Sequence, residues 1–485
     1  MSQSYLFYDL ETWGLDSRKT RIAQFAAIRT NAELEEIDAP VSLFVRPSDD
    51  FLPCPESALI TGITPQQADA EGLLEADAIA QIHALMAEPE TCTLGFNTLK
   101  FDDAFIRHAL YRNFHDPYER EYRDGNSRWD IFNVIRATHA LRPEGIQWRP
   151  RDDDPDATSF KLEHLAEDND LRVGSAHEAL SDVRATIGLA RLVKDRQPKL
   201  WHYLGRLRDK RHVQGMIDLA GMTPLLHIAG QYPARQRNAA IVVPLSEHPV
   251  NRNQIIFLRM DVPADALLSD LADAVKSRYF SRREALPEGM SRPPFTDIRI
   301  NESPTLLPLG DLRSADFERM NIDMTEVERN IAFARKHRNA LAALARHVFA
   351  PEDGKEGNAA NDVDAALYDG FIPPADKSLL RRIRACAPEA LGQEGFRFQD
   401  RRMPELFFRY RGRNWPALLN FDEQVQWQAH RRSRLLDGVQ TPYTLTAHAE
   451  KVHALREIHA DQPQKLAILD AMDAWRHAIG HSLGT

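Results

Sequence analysis

Asp9 and Glu11 stand two residues apart in the stretch Tyr5-Leu6-Phe7-Tyr8-Asp9-Leu10-Glu11-Thr12. The apolar run before them reads as a buried strand, and residues i and i+2 of a strand face the same side. Two carboxylates therefore project side by side from a hydrophobic strand. Like charges that close are costly to bury unless a cation neutralises them. An oxygen-only pair suits a hard divalent ion such as Mg2+ or Mn2+. Alone, the pair fits equally well two solvated acids at a strand exit. A second stretch, Gly95-Phe96-Asn97-Thr98-Leu99-Lys100-Phe101-Asp102-Asp103, puts an acid where a short strand gives way to a helix. Asp102 there is either a ligand or a helix N-cap. A third, His177-Glu178-Ala179-Leu180-Ser181-Asp182, sets a histidine at a helix entrance and an acid within an apolar helix carrying Val183, Ile187 and Ala190. Histidine titrates near about 6.5 and can carry a proton at neutral pH.

The elements that position these residues follow from hydrophobic period and turn signals. Tyr5–Asp9, Ile22–Thr30 and Val41–Val45 read as strands joined by short turns, which predicts an antiparallel meander. Thr61–Pro65 reads as a turn into a helix, Ala76–Ala87 as a helix, and Thr93–Asn97 as a short buried strand. Helices are expected over Phe101–Phe114, Trp129–Leu141, Phe160–Asp168 and Glu178–Arg196, with a polar loop at Arg149–Ser159. Strands followed by a strand and helices predict an α/β layer with a mixed sheet. Residues 201–350 change character, with strand-like Ala240–Pro244 and Gln254–Arg259 and a helical Thr325–Ala350. Polar, weakly patterned 351–363 reads as a linker, and the pattern from Asp364 onward is helical.

At 485 residues the chain is too long for one core. Its 43% hydrophobic and 27% charged residues fit a soluble globular protein. No apolar run approaches the roughly 20 residues that span a bilayer, and the N-terminus lacks a signal-peptide pattern. Cys54, Cys92 and Cys386 lie far apart, which suits a reducing cytoplasm and argues against a cysteine metal site. The net charge of −10 is uneven. Residues 1–200 hold 22 Lys+Arg against 35 Asp+Glu, whereas 201–350 hold 21 against 17. A polyanionic ligand is therefore not excluded.

The joint order D-x-E, an acid about ninety residues on, then H-x4-D resembles the DEDDh family of 3′→5′ exonucleases, which have a ribonuclease H-like fold. Asp9, Glu11, Asp102, His177 and Asp182 are the matching residues. The segments Asn126–Asp130, Ala140–Ile146, Ser159–Leu165 and Pro404–Asn414 further resemble the bacterial exonuclease I family. The resemblance spans nearly the whole chain. It implies a ribonuclease H-like domain at 1–198, an SH3-like β-barrel domain at 199–350, the linker 351–363 and a C-terminal α-helical domain at 364–485.

By that resemblance the expected activity is processive 3′→5′ degradation of single-stranded DNA to mononucleotides, in DNA repair and recombination, with two Mg2+ ions that Mn2+ can replace. The alternatives are an RNA 3′-exonuclease and a non-catalytic single-strand clamp. Asp9, Glu11, Asp102 and Asp182 are the implied metal ligands, Glu11 lies near the 3′ end, and His177 is the general base. Asp102 is preferred over Asp103 because in the family the acid directly after Phe is the ligand. Lys161 stands where an arginine is usual and is expected to hold a phosphate. Arg107, Tyr118, Tyr122 and Arg136 match DNA-contacting positions. Arg142 and Tyr203 match a site for the acidic C-terminal tail of single-stranded-DNA-binding protein; Arg142 is alternatively a cation capping the preceding helix. A cytoplasmic monomer with no membrane association is expected.

Overall fold

The computed structural model describes residues 3–171, 174, 178–286, 289–351 and 362–484. His177 and most of the expected linker lie outside the described residues. The first 200 residues run β1 (Ser4–Thr12), β2 (Ile22–Thr30), β3 (Val41–Phe44), α1 (Pro55–Thr61), α2 (Pro65–Glu71), α3 (Glu75–Met86), β4 (Thr91–Gly95), α4 (Asp102–Arg112), β5 (Ser127–Asp130), α5 (Ile131–Leu141), α6 (Leu162–Asp168) and α7 (Ala179–Arg196). The sheet order is β3-β2-β1-β4-β5. β1 pairs antiparallel with β2 and parallel with β4, so the sheet is mixed and β1 is interior to it.

Two compact units divide the chain. The first holds 1–127, 173–185 and 357–485, and the second holds 128–172 and 186–356. In the first unit Leu6, Tyr8 and Leu10 of β1 meet Ile79, Ile82 and Met86 of α3 and Phe105, Ile106 and Leu110 of α4 in one buried cluster. Helical spacing on α3 and α4 aligns those residues on the faces turned to the sheet. Among the described residues the C-terminal part of this unit contributes 3-10 turns at Val363–Asp369 and Pro416–Leu418 and the α-helices Pro374–Ala385, Met403–Asn414, Phe421–Leu435, Leu445–Ile458 and Pro463–Ser482. Tyr111 and Phe114 pack with Leu380, Ile383, Leu406 and Tyr410 in a second cluster.

A buried ion network also binds the C-terminal segment to the N-terminal one. Arg413 Nε and Nη2 donate to Asp50 Oδ2 at 3.0 and 2.8 Å, and Nη1 donates to Asp364 Oδ1 at 2.8 Å. Arg409 Nη1 adds a bond to Asp364 Oδ2 at 3.0 Å, and Arg434 Nη1 one to Asp362 Oδ2 at 3.1 Å. Burial alone would raise Asp50, but Arg413, His430 and Arg434 hold it well below the ordinary carboxylate range.

The second unit carries an all-antiparallel sheet ordered β10-β6-β7-β8-β9, with β6 (Leu225–Ile228), β7 (Ala239–Glu247), β8 (Gln254–Arg259), β9 (Phe295–Arg299) and β10 (Thr305–Pro308). β7 is buried over Ala239–Ser246 and β8 over Gln254–Leu258.

Three expectations need correction. Trp129 and Asp130 lie in β5, and the helix begins only at Ile131. The single helix expected over Thr325–Ala350 is two, Met324–Lys336 and Arg338–Phe349, broken at His337. The stretch 55–61, not expected as helical, forms α1, opened by Pro55 and closed by a left-handed Gly62.

Candidate active site

β1 places the first two acids. Its parallel pairing with β4 stops at Phe7↔Leu94, while its antiparallel pairing with β2 continues to Asp9↔Ala26 and Glu11↔Gln24. Asp9 and Glu11 thus extend past the paired end of β4. The β1–β2 register shifts between Glu11 and Thr12, and such irregularities re-aim side chains. Beyond β4 the chain turns sharply. A Cβ on Gly95 would lie 2.4 Å from the Tyr8 carbonyl oxygen, so only glycine allows that approach. Asn97 sits at φ 65, a left-handed setting asparagine tolerates.

That turn delivers Asp102 as the first residue of α4. Phe101 occupies the N-cap and its side chain makes no cap bond; Asp102 is the first helical residue, so it does not hold the N-cap position. Asp102 is 4% exposed and Asp103 1%. Asp182 lies in the first turn of α7. One carboxylate oxygen from each of Asp9, Glu11 and Asp182 lies within 4.8 Å of the others. Burial raises Asp9 well above the ordinary carboxylate range, and the nearby charges of Asp102, Glu11 and Asp182 add to the rise. Burial and the Asp182 carboxylate push Glu11 up to about 8. Four carboxylates therefore bear on one place, and their mutual repulsion is what a divalent cation relieves. An all-oxygen donor set fits a hard cation of the Mg2+ class.

Asp103 takes a different course. Tyr8 Oη and Arg120 Nη2 both donate to its Oδ1, at 2.9 and 2.6 Å. The sequence offered no signal for Arg120, because nothing in residues 119–121 marks a partner for an acid at 103.

The other expected site residues are dispersed. Lys161 is exposed at the N-cap of α6, with its Nζ 3.6 Å from Glu163. Arg107 is clamped on Glu121 by two bonds of 2.7 and 3.1 Å and lies 5.7 Å from the Tyr118 ring centroid. Tyr122 is 66% exposed. Arg136 is buried, 4.2 Å from the Phe132 ring centroid, and donates to Asn133 Oδ1 at 3.1 Å. In the second unit Arg142 and Tyr203 line one cavity of about 610 Å³ with Lys199, Leu200, Leu307 and Leu312. Arg142 is the C-cap of α5; its Nη1 donates to Leu141 O at 2.5 Å and to Asp316 Oδ1 at 2.8 Å. Tyr203 Oη donates to Leu306 O at 2.7 Å. No helix among the described residues is long and apolar enough to cross a membrane.

Comparison with known proteins gives three family matches, described as exonuclease over residues 6–190, exonuclease I SH3-like domain over 208–351 and exonuclease I C-terminal domain over 361–479. The chain is 38% identical to exodeoxyribonuclease I of Escherichia coli K12 over 480 residues, 98% of this chain and 97% of that one. It is 36% identical to exodeoxyribonuclease I of Haemophilus influenzae, covering 96% of each. Among solved structures, E. coli exonuclease I in complex with a dA16 oligonucleotide superposes with a TM-score of 0.91 at 38% identity, over 99% of this chain and 100% of that one. A zinc-bound form of the E. coli exonuclease I–ssDNA complex gives 0.93 at 37%, with the same coverage. An exonuclease I/SSB-Ct complex gives 0.91 at 37%, again with that coverage.

Proposed function

The chain belongs to the exodeoxyribonuclease I family, and from that membership and its carboxylate geometry we propose that it degrades single-stranded DNA from the 3′ end, releasing 5′-mononucleotides, in DNA repair and recombination. The observation that carries the proposal is the convergence of Asp9, Glu11 and Asp182 within 4.8 Å, with the charge of Asp102 also raising Asp9, on a chain collinear with those nucleases. The family boundaries near 190, 208, 351 and 361 support three domains at 1–198, 199–350 and 364–485.

Asp9, Glu11, Asp102 and Asp182 would hold two divalent cations, Mg2+ or in its place Mn2+. Such a pair supplies an activated water and screens the charge that builds on the scissile phosphate. Asp9 would help hold both cations, Asp182 the one that supplies the attacking water, and Glu11 the one near the terminal nucleotide. His177 would accept the proton of the attacking water, the role of a general base. Lys161, exposed at the head of α6, is available to a backbone phosphate. The exposed Tyr122 ring offers a stacking face that tolerates any base. Tyr118 and Arg107, a cation–ring pair, offer a further ring and positive charge. Arg136 contributes positive charge from a buried position.

The SSB-Ct complex of a relative supports a second partner. An acidic tail ending in an apolar residue needs a cation beside an apolar pocket. The cavity lined by Arg142, Lys199, Tyr203, Leu307 and Leu312 supplies both, with Asp311 the one acid on its wall. A labelled tail peptide should bind wild type and bind Arg142→Ala at least about tenfold more weakly, a loss of about 1.4 kcal/mol. Equal affinities would remove Arg142 as the anchor. The protein is read as a cytoplasmic monomer.

The deciding assay incubates the protein and Mg2+ with DNA and RNA oligonucleotides blocked at the 3′ or the 5′ end. Loss of single nucleotides only from DNA with an open 3′ end is expected. Equal turnover of RNA would favour an RNA exonuclease, and binding without turnover a clamp.

A further inference from the structure

Two consecutive acids open α4, and they have different surroundings. Asp103 Oδ1 receives both Tyr8 Oη and Arg120 Nη2. The Arg120 side chain is 0% exposed, and its Nη1 also reaches Thr93 Oγ1 of β4 at 3.4 Å. A wholly buried guanidinium is stable only beside an acid. Here the acid is supplied by the first turn of α4, and the second donor by the residue that precedes Asp9 on β1. Arg120, from the 3-10 turn Glu119–Glu121, thus ties the head of α4 to β4, while Tyr8 ties it to β1. Successive helical residues point about 100° apart, so fixing Asp103 fixes where Asp102 is aimed. With Asp103 held by Tyr8 and Arg120, the first turn of α4, which also carries Asp102, is fixed in place.

We propose that Arg120 is a positioning residue of the active site: by pairing with Asp103 it cancels a surplus negative charge at the head of α4 and sets that helix so that Asp102 completes the cation-binding carboxylates. The proposal rests on the reading of Asp9, Glu11, Asp102 and Asp182 as the cation centre. The pairing is also economical in space. Glu121, next to Arg120, holds Arg107 in the same way, so acids and bases alternate along this side of α4.

A four-member comparison tests the idea: wild type, Arg120→Met, Asp103→Asn and the double variant. Mn2+ binding is measured by calorimetry on DNA-free protein, alongside oligonucleotide turnover and thermal melting. Groups that orient ligands are typically worth 10–100-fold in metal affinity. Arg120→Met, which strands the Asp103 charge, should lose about tenfold or more in Mn2+ affinity. Asp103→Asn, which leaves Arg120 Nη2 with only the more distant Glu121 at 3.9 Å, should lose a similar amount. The double variant removes both charges and keeps an acceptor for Tyr8, so it should return to within about threefold of wild type, the signature of a coupled pair. A merely structural arginine predicts the opposite: melting falls in Arg120→Met with Mn2+ affinity unchanged, and the double variant is no better than either single one. Should Arg120→Met not fold, the same decision is read from Asp103→Asn against the double variant. Because Mn2+ binding is read without DNA, inactivity on every oligonucleotide would overturn the proposed function and leave this comparison standing.

Discussion

Replacing Glu11 by glutamine isolates the cost of crowding carboxylates at one point. Burial and Asp182 raise this group from an ordinary 4.5 to about 8. In cation-free protein the folded state therefore keeps a proton on Glu11 at pH values where the unfolded chain has released it. Stability falls with rising pH wherever the folded state binds more protons. No penalty exists below pH 4.5; it grows between 4.5 and about 8, by about 1.4 kcal/mol per pH unit. Above that range the wild type has lost about 5 kcal/mol. Glutamine carries no charge, so Glu11→Gln removes this slope. Asp9, raised partly by Glu11, is relieved as well. The assay is urea unfolding in a chelator from about pH 4 to about pH 9. The variant should match wild type at the acid end and exceed it by several kcal/mol at the alkaline end, while its nuclease activity collapses. Excess Mg2+ should close the gap, because a cation bound only to the folded state stabilises it by mass action. Parallel curves for the two proteins in chelator, or a more stable wild type at about pH 9, would refute the reasoning.

Asp9→Ala and Asp182→Ala should each abolish turnover while single-strand binding persists; near wild-type turnover in Mg2+ from either would dismiss that residue as a ligand. His177→Ala should lower the rate by roughly 10²–10⁴, with the loss shrinking at high pH where hydroxide needs no base; a loss constant across pH would make His177 structural. Asp364→Ala should destabilise the protein by about 3–5 kcal/mol, because Arg413 and Arg409 would be left buried without it. Denaturant midpoints check this, and a change under about 1 kcal/mol would mean the network carries little.

The readable part of the fold was the part with local causes. Ile22–Thr30 was bounded to the residue, because nine largely apolar residues lie between polar turns. Asp9 and Glu11 stood out because period 2 puts both on one side of a strand, and Asp182 because an acid interrupts an apolar helix face. β5 was misread because four residues run straight into α5 without a turn, so strand and helix merge into one apolar pattern. β6, β9 and β10, at four or five residues each, are too short for period to declare them. The partners of Asp103, Asp50 and Asp364 were illegible for a different reason: an ion pair leaves no local trace, and only the folded chain brings Arg120 or Arg413 to them.

The Arg413–Asp50 bond also has a history written into its sequence separation of 363 residues. On a ribosome adding roughly 5–20 residues per second, Asp50 would wait on the order of 20–70 seconds for its arginine. The unit that contains β1 draws on residues up to 127, on 173–185 and from 357 onward, so its nascent portion cannot close over its own acids while the rest of the second unit is being made. A chaperone that sheltered the emerging β1–β4 segment would shift the yield of active enzyme far more than one acting on residues 186–356. Transcripts with slow codons between 127 and 357 should prolong that exposure, whereas slow codons after Arg434, once every partner in the network has been made, should be harmless.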